Sequence, residues 1–313
     1  MQRQSEQNAD FIEESVELLD GSEEDFLLLL GEEEEAEPVE QYTNKKGELK
    51  TRVKPFVVAS QLYNKEVPTG SVEEIMKNMQ KYAEESAAKK GYQEPDKTAF
   101  NNSRGTWFEV LLAVWAWNYC YHKSDNYAVI RLPNVRVLDF HDVFESDTRG
   151  KLQELLNSLQ KNNVKMITSN PDFIIIKKDL LIDEEIKNLS IDNMKKVFSL
   201  YKEVQHSLKW NEVLIGIGVK TSLRPDRRLQ LVHEGNILKS LFTHLKMRFW
   251  VRDYFFKYLV VSNKKLNRAD IAALETAATH TIVNVDSIPE SAVDGHYHIK
   301  SKQEFDAMLD GLW

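Results

Sequence analysis

The sequence predicts an α/β domain, a central sheet covered on its faces by helices. Three observations predict it. Apolar runs rich in β-branched residues, DFIIIKK (172–178) and VLIGIGVK (213–220), read as buried strands. Between such runs lie helical segments with their own start and stop signals. The chain has 313 residues, of which 42% are hydrophobic, enough for one large core.

The elements follow in order. Residues 1–40 hold 15 acids and one arginine and read as an acidic N-terminal extension, disordered or loosely helical. The remaining 273 residues, the domain 41–313, hold 34 acids and 40 Lys and Arg, so the body is mildly basic and suits a polyanionic partner. SVEEIMKNMQKYAEESAAKKG has Ser71 as N-cap, glutamates in its first turn and Gly91 after its end, and so reads as a helix. A second helix is expected from about Arg104 through TWFEVLLAVWAWNYCY. DNYAVIRL and VRVLDF are short strand candidates, and TRGKLQELLNSLQKN is helical. After DFIIIKK comes a polar helical insert, IDNMKKVFSLYKEVQHSLKW. VLIGIGVK then leads through a connector, RPDRR, into a long helix, LQLVHEGNILKSLFTHLKMRFW. Strands near FFKYLVVS and HTIVNVD, with a helix between them, complete the body.

Several classes are excluded. Cys120 is the only cysteine, so no disulfide framework forms and a reducing, cytoplasmic setting is expected. No apolar run approaches the roughly 18 residues of a membrane span. No secretory signal opens the chain and no phosphate-binding GxxxxGK loop occurs. His296 and His298 can share a strand face, but two histidines without a third ligand make a poor metal site.

The charges that remain are out of place for a core. Asp172 opens one buried strand and Lys220 ends another. Glu234 falls on the apolar stripe Leu231, Leu238, Phe242 and Leu245, and Glu109 shares a face with Leu112, Ala113 and Ala116. A carboxylate on a core-facing stripe is unfavourable unless it is paired or binds metal. Three inward acids with a lysine nearby suit a hydrolytic site using Mg²⁺, which prefers oxygen ligands. Salt bridges to arginine are the competing reading. In the connector, Arg224, Asp226 and Arg227 surround Pro225. Arginine matches the guanine edge bidentately and aspartate accepts from cytosine N4, so the three can read two neighbouring G·C pairs; a surface charge cluster is the competing reading. A two-fold dimer doubles that half-site to CCGG.

The blocks SRGTWFE (103–109), ITSNPDFIII (167–176), VKTSLRPDRRLQLVHEGNILKSLFTHLKMRFW (219–250) and TAATHTIVNVDSIPESAVD (276–294) run in one order along the body. In them the chain resembles the type II restriction endonucleases of the CCGG-recognising group, within the PD-(D/E)xK nuclease superfamily, and most nearly those that cut purine-CCGG-pyrimidine. The resemblance implies a central mixed sheet flanked by helices and Mg²⁺-dependent hydrolysis before the first C, leaving 5′-CCGG overhangs. It implies that Asp172 bridges metal, that Lys220 acts on the scissile phosphate or the attacking water, and that Glu109 is a further acid near the metal. The superfamily places an acid two residues before the lysine, where this chain has Gly218. In this group the acid comes from the next helix, and Glu234 matches it. By the same resemblance Arg224, Asp226 and Arg227 read CCGG, and Asn102 contacts DNA near the flanking pair. Arg228 and nearby lysines are expected to hold phosphates rather than bases, and Arg248 and Trp250, large for a surface at the end of the long helix, are candidates for a contact between dimers, with core packing as the other reading of Trp250. Double-stranded DNA with a palindromic CCGG core, a homodimer or homotetramer, and a companion methyltransferase in a prokaryotic cytoplasm are the implied partners and setting. Two alternatives stay open: another PD-(D/E)xK nuclease of repair or structure-selective type, and a catalytically silent DNA-binding module. A regulatory cover of the basic cleft by residues 1–40 is a further expectation.

Overall fold

The structure is a computed structural model that describes residues 37–124, 126–166, 169–177, 185–283 and 288–312. The acidic extension up to residue 36, Ile167 and Thr168 of the ITSN block and residues 284–287 of the last block lie outside the described residues. The strand β1 (Val39–Thr43) opens just ahead of Gln41, the expected start of the body, and pairs antiparallel with β2 (Leu49–Val53).

Helices α1 (Pro55–Leu62), α2 (Val72–Lys89) and α3 (Lys97–Lys123) follow. Ser71 caps α2 by accepting from the Glu74 N–H at 3.2 Å, as its sequence signals required. The helix α3 starts at Lys97, one and a half turns or more before the expected Arg104. The stretch FNNSRG looks like a loop by propensity, but Asp96 caps it through Thr98 and Ala99, each at 3.0 Å, and Phe100 and Ser103 are buried. Cap and burial together override the poor helix formers. Farther along, Trp107 to Ala116 is buried apart from Glu109, so α3 runs through the core.

Among the described residues the main sheet has five strands in chain order: β3 (Ala128–Arg131), β4 (Phe173–Ile176), β5 (Val213–Lys220), β6 (Lys257–Ser262) and β7 (Gly295–His298). The first two pairings are antiparallel and the last two parallel, so the sheet is mixed. Every residue of β3 and β4 is buried, because helices cover both faces, and their sequences are continuous apolar runs apart from Arg131. Between the strands lie α4 (Ser146–Lys161), α5 (Ile191–Ser199), α6 (Tyr201–Val204), α7 (Pro225–Arg248), α8 (Arg268–Leu274) and α9 (Thr279–Val283), and α10 (Lys302–Asp310) ends the described body. The stripe Leu231, Leu238, Phe242 and Leu245 of α7 is buried as expected, and Phe242 stacks on Phe256 with centroids 4.1 Å apart.

Three expectations are corrected. VRVLDF is not a strand. Asn134 accepts from Arg136 through its side chain and from Val137 and Leu138 through its carbonyl, which uses the N–H groups a ladder would need. In HTIVNVD the described residues are helical, and Asn236 starts that turn by accepting from both the N–H and the hydroxyl of Thr279 at 2.7 Å. The last strand is instead GHYH. RPDRR is not a connector: Pro225 occupies the first helical position of α7 and Arg224 is its N-cap residue. The helical start fixes the spacing of these residues from Glu234.

Candidate active site

Antiparallel pairing of β4 and β5 brings the start of one to the end of the other. Asp172 and Lys220 therefore meet, with Lys220 Nζ 3.4 Å from Asp172 Oδ2. The same Oδ2 accepts from the Val219 N–H at 2.5 Å, which fixes the carboxylate to the strand that carries the lysine. Glu234 arrives from α7 and is only 8% exposed. Its Oε1 accepts from the Tyr258 hydroxyl at 2.6 Å and its Oε2 from the Ser169 hydroxyl at 3.1 Å.

The electrostatics record the same convergence. Burial pushes the Glu234 carboxyl up to about 7, and the neighbouring Asp172 charge adds to this, against the opposite pull of Lys220 and the two hydroxyl donors. Burial alone would lower the Lys220 pKa, but Asp172, Glu234 and Glu109 outweigh it, so the ammonium is held above the ordinary lysine value. Asp172, Glu234 and Glu109 thus all act on Lys220, and Asp172 and Lys220 act on Glu234. Burial and the Glu234 carboxylate hold the Tyr258 phenol protonated, and hence a donor.

Glu109 enters from α3 and accepts from Arg131 Nη2 at 3.2 Å. Arg131 stands beside the cluster because it faces Phe173 across the β3–β4 ladder, and its guanidinium lies 4.6 Å from the Phe198 ring centroid. Asn102 is exposed on the same helix. Seven residues separate it from Glu109, two helical turns, which places both on one face about 10 Å apart along the axis.

Arg224, Asp226 and Arg227 lie in the first turn of α7, with Asp226 Oδ2 3.5 Å from Arg224 and 3.9 Å from Arg227. Arg227 and Glu234 are also seven residues apart, so one face of α7 carries both. Arg228 has turned inward: its Nη1 lies 2.9 Å from Asp270 Oδ1, and Asp270 is buried. At the far end of α7, Arg248 is paired with Glu154. Trp250 is 92% exposed and has a φ of +56°, a left-handed conformation unusual for a bulky residue. Ordinary core packing of Trp250 is therefore ruled out.

Among the described residues no three Asp, Glu, His or Cys side chains form a ready-made metal cage, and His296 and His298 gain no third ligand. The donor set nonetheless fits a magnesium-like ion, which is commonly held by one or two carboxylates and completed by waters and substrate phosphate. Asp172 and Glu234 would supply the carboxylates; burial is the main reason the Glu234 pKa is raised, and the nearby Asp172 charge, which adds to it, is of the kind a divalent cation would neutralise.

A sequence profile of the Cfr10I/Bse634I restriction endonuclease family matches residues 36–312. The chain belongs to this family. It is a type II restriction endonuclease, a site-specific DNA nuclease. The type II restriction enzyme Cfr10I of Citrobacter freundii is 32% identical over 256 residues, covering 79% of this chain and 89% of that protein. The crystal structure of the type IIF restriction endonuclease Bse634I with cognate DNA aligns with a TM-score of 0.82 at 45% identity, covering 88% of this chain and 97% of the other. A further Bse634I restriction endonuclease structure aligns with a TM-score of 0.81 at 45% identity, over 88% of this chain and 96% of the other. The expected mixed sheet flanked by helices is thus the fold of a restriction endonuclease, and the family match favours this class over a repair or structure-selective nuclease.

Sequence reasoning missed three members of the site. Tyr258 and Ser169 hold Glu234, and Arg131 pairs with Glu109. Arg131 had a signal, a lone cation closing the apolar strand AVIR. Tyr258 in KYLVVS and Ser169 in TSNP had none, since tyrosine is an ordinary strand residue and serine an ordinary turn residue.

Proposed function

We propose that the chain cleaves double-stranded DNA at purine-CCGG-pyrimidine before the first C, using Mg²⁺ and leaving 5′-CCGG overhangs. The observation that carries this is the β5–α7 unit: Lys220, the Arg224–Asp226–Arg227 set and Glu234 follow one another on a single strand and helix. A cut at a fixed distance from a read sequence needs that rigid coupling. Asp172 and Glu234 would hold the metal, with Glu109 close by. When bound, Mg²⁺ supplies Lewis-acid charge that lowers the pKa of a water and offsets charge on the phosphate. Lys220, held charged by the acids around it, donates to a phosphate oxygen or orients the attacking water. Arg224 and Arg227 donate to guanine and Asp226 accepts from the cytosine amines, while Asn102 contacts the flanking pair. Arg228 is engaged with Asp270 and is therefore not assigned a phosphate contact.

The palindrome requires a homodimer. Trp250 supports a homotetramer, because an exposed tryptophan in a strained conformation, with exposed Met247 and Phe255 nearby in sequence, suits an interface, and Arg248 stands beside it. A companion DNA methyltransferase in a prokaryotic cytoplasm would protect the host's own sites. The acidic extension, residues 1–40, would then compete with DNA for the basic body. A long DNA of known sequence, digested with and without Mg²⁺ and sequenced at its ends, tests the main reading. Ends confined to purine-CCGG-pyrimidine in Mg²⁺ alone are expected. Ends without CCGG would overturn the assignment of the reading residues, and specific binding without cutting would overturn the metal assignment.

A further inference from the structure

We propose that Tyr258 is a positioning residue for Glu234: its phenol fills the space beside Gly218 where the superfamily's strand acid would stand, and anchors the helix acid that replaces it. This rests on the reading of Glu234 as a metal-holding acid. The geometry is specific. A Cβ built on Gly218 would fall 2.2 Å from Tyr258 Oη and 2.7 Å from Leu231 Cδ2, so no side chain fits at that position while Tyr258 is in place. At another edge of the ring, a Cβ on Gly235 would fall 2.8 Å from Tyr258 Cδ1 and 2.2 Å from the Ala292 carbonyl oxygen. The ring is slotted between strand and helix by two glycines, one of them next to Glu234 in sequence.

The slot is also braced. Asp294 accepts from the Tyr258 N–H through Oδ2 at 2.7 Å and donates its own N–H to the Tyr258 carbonyl at 2.8 Å. Lys239, 2% exposed, reaches from α7 to Asp294 Oδ1 at 2.6 Å and to the Ser291 carbonyl at 2.7 Å. The helix α7 therefore grips Tyr258 twice, through Glu234 at its hydroxyl and through Lys239 and Asp294 at its backbone. Hydroxyl donors on both Glu234 oxygens offset the burial of an ionised carboxylate and still leave each oxygen a lone pair for metal. Strand acid and helix acid become exclusive alternatives: with a tyrosine here the strand position must be glycine, and with a strand side chain the tyrosine could not reach the helix.

The test uses Tyr258→Phe, which keeps the ring and removes the donor. Two quantities are compared with wild type: the Mg²⁺ concentration for half-maximal cleavage of a CCGG duplex, and calorimetric Mn²⁺ affinity with a duplex carrying a non-hydrolysable linkage at the cut position. Both are expected to weaken by about 10-fold, the usual effect of losing an outer partner of a metal ligand. Duplex binding in chelator should not change, and in a Glu234→Gln background Tyr258→Phe should have no further effect on Mn²⁺ affinity. Gly218→Ala, which displaces the hydroxyl while keeping the tyrosine, is expected to move both quantities the same way, and decides the matter if Tyr258→Phe does not fold. An unchanged metal requirement, with activity lost only in step with melting temperature, would make Tyr258 a packing residue and overturn the proposal. Wild-type protein that cuts nothing at any metal concentration would instead sink the cleavage reading, while the Mn²⁺ comparison would still report on Tyr258.

Discussion

Lys220 and Glu234 are held in or beside the interior, whereas Arg224, Asp226 and Arg227, which lie between them in sequence, stand toward solvent. The inner pair is surrounded by fixed partners: Asp172 for the lysine, Tyr258 and Ser169 for the glutamate. The outer three have mainly one another, with Arg224 and Asp226 each more than 60% exposed. Chemistry at a phosphate gains from charges fixed in advance in a dry site. Base reading needs groups whose present contacts can be exchanged for base edges at little loss, and solvent-exposed ion pairs are worth about 1 kcal/mol or less. In the proposed reading one helix serves both demands, because its first turn is in solvent and its third is in the core.

The largest expected effect is at the inner set. Asp172→Ala should lower cleavage by on the order of 1000-fold while leaving CCGG binding in place, since it removes a fixed charge and no base contact. Cleavage rates and filter-binding affinities measured together check this; cutting at the wild-type rate would remove Asp172 from the metal site. At the outer set, Asp226→Ala should reduce the preference for CCGG over one-base variants by roughly 1–3 kcal/mol per lost base contact, with melting temperature nearly unchanged. Binding to a panel of single-base substitutions reads this out, and a uniform loss across the panel would recast Asp226 as a backbone contact.

Stability against pH separates the two sets more finely. Glu234 is raised to about 7 in the folded protein, against an ordinary value near 4.5. The native state therefore binds the extra proton between these values, so this group's contribution to stability falls as pH rises through that window and is level above about 7. Glu234→Gln should remove that fall in chelator, and its gain over wild type should be greatest above pH 7. Denaturant unfolding from pH 5 to 8 measures the difference, and parallel curves for the two proteins would show that Glu234 is not buried as described. The smallest effect on the fold is expected at Trp250. With its side chain in solvent, Trp250→Ala should leave the unfolding midpoint within about 0.5 kcal/mol, yet lower the mass of the assembly in sedimentation. An unchanged mass would remove Trp250 from the proposed interface.

Legibility in the sequence follows the same division. The buried strands were readable from FIII and VLIGIGVK, because a strand covered on both faces must be apolar throughout. Glu234 and Glu109 were readable as anomalies, since an acid on an apolar stripe breaks a strong rule. VRVLDF was misread because β propensity carries no information about Asn134, whose turn uses the backbone first. The early start of α3 was missed because its support, an aspartate cap and burial of Phe100, comes partly from the rest of the fold.

By itself the sequence determined the α/β class, the buried strands FIII and VLIGIGVK and the four charged groups that meet near Lys220, because periodicity and misplaced charge are local properties of the chain. Only the tertiary structure decided that Arg228 turns inward to Asp270, that Trp250 faces solvent, and that Tyr258, Ser169 and Arg131 hold the acids. Those outcomes depend on which strand lies beside which, and on space: Gly218 and Gly235 leave room for one aromatic ring between β5 and α7, and that ring's hydroxyl meets Glu234.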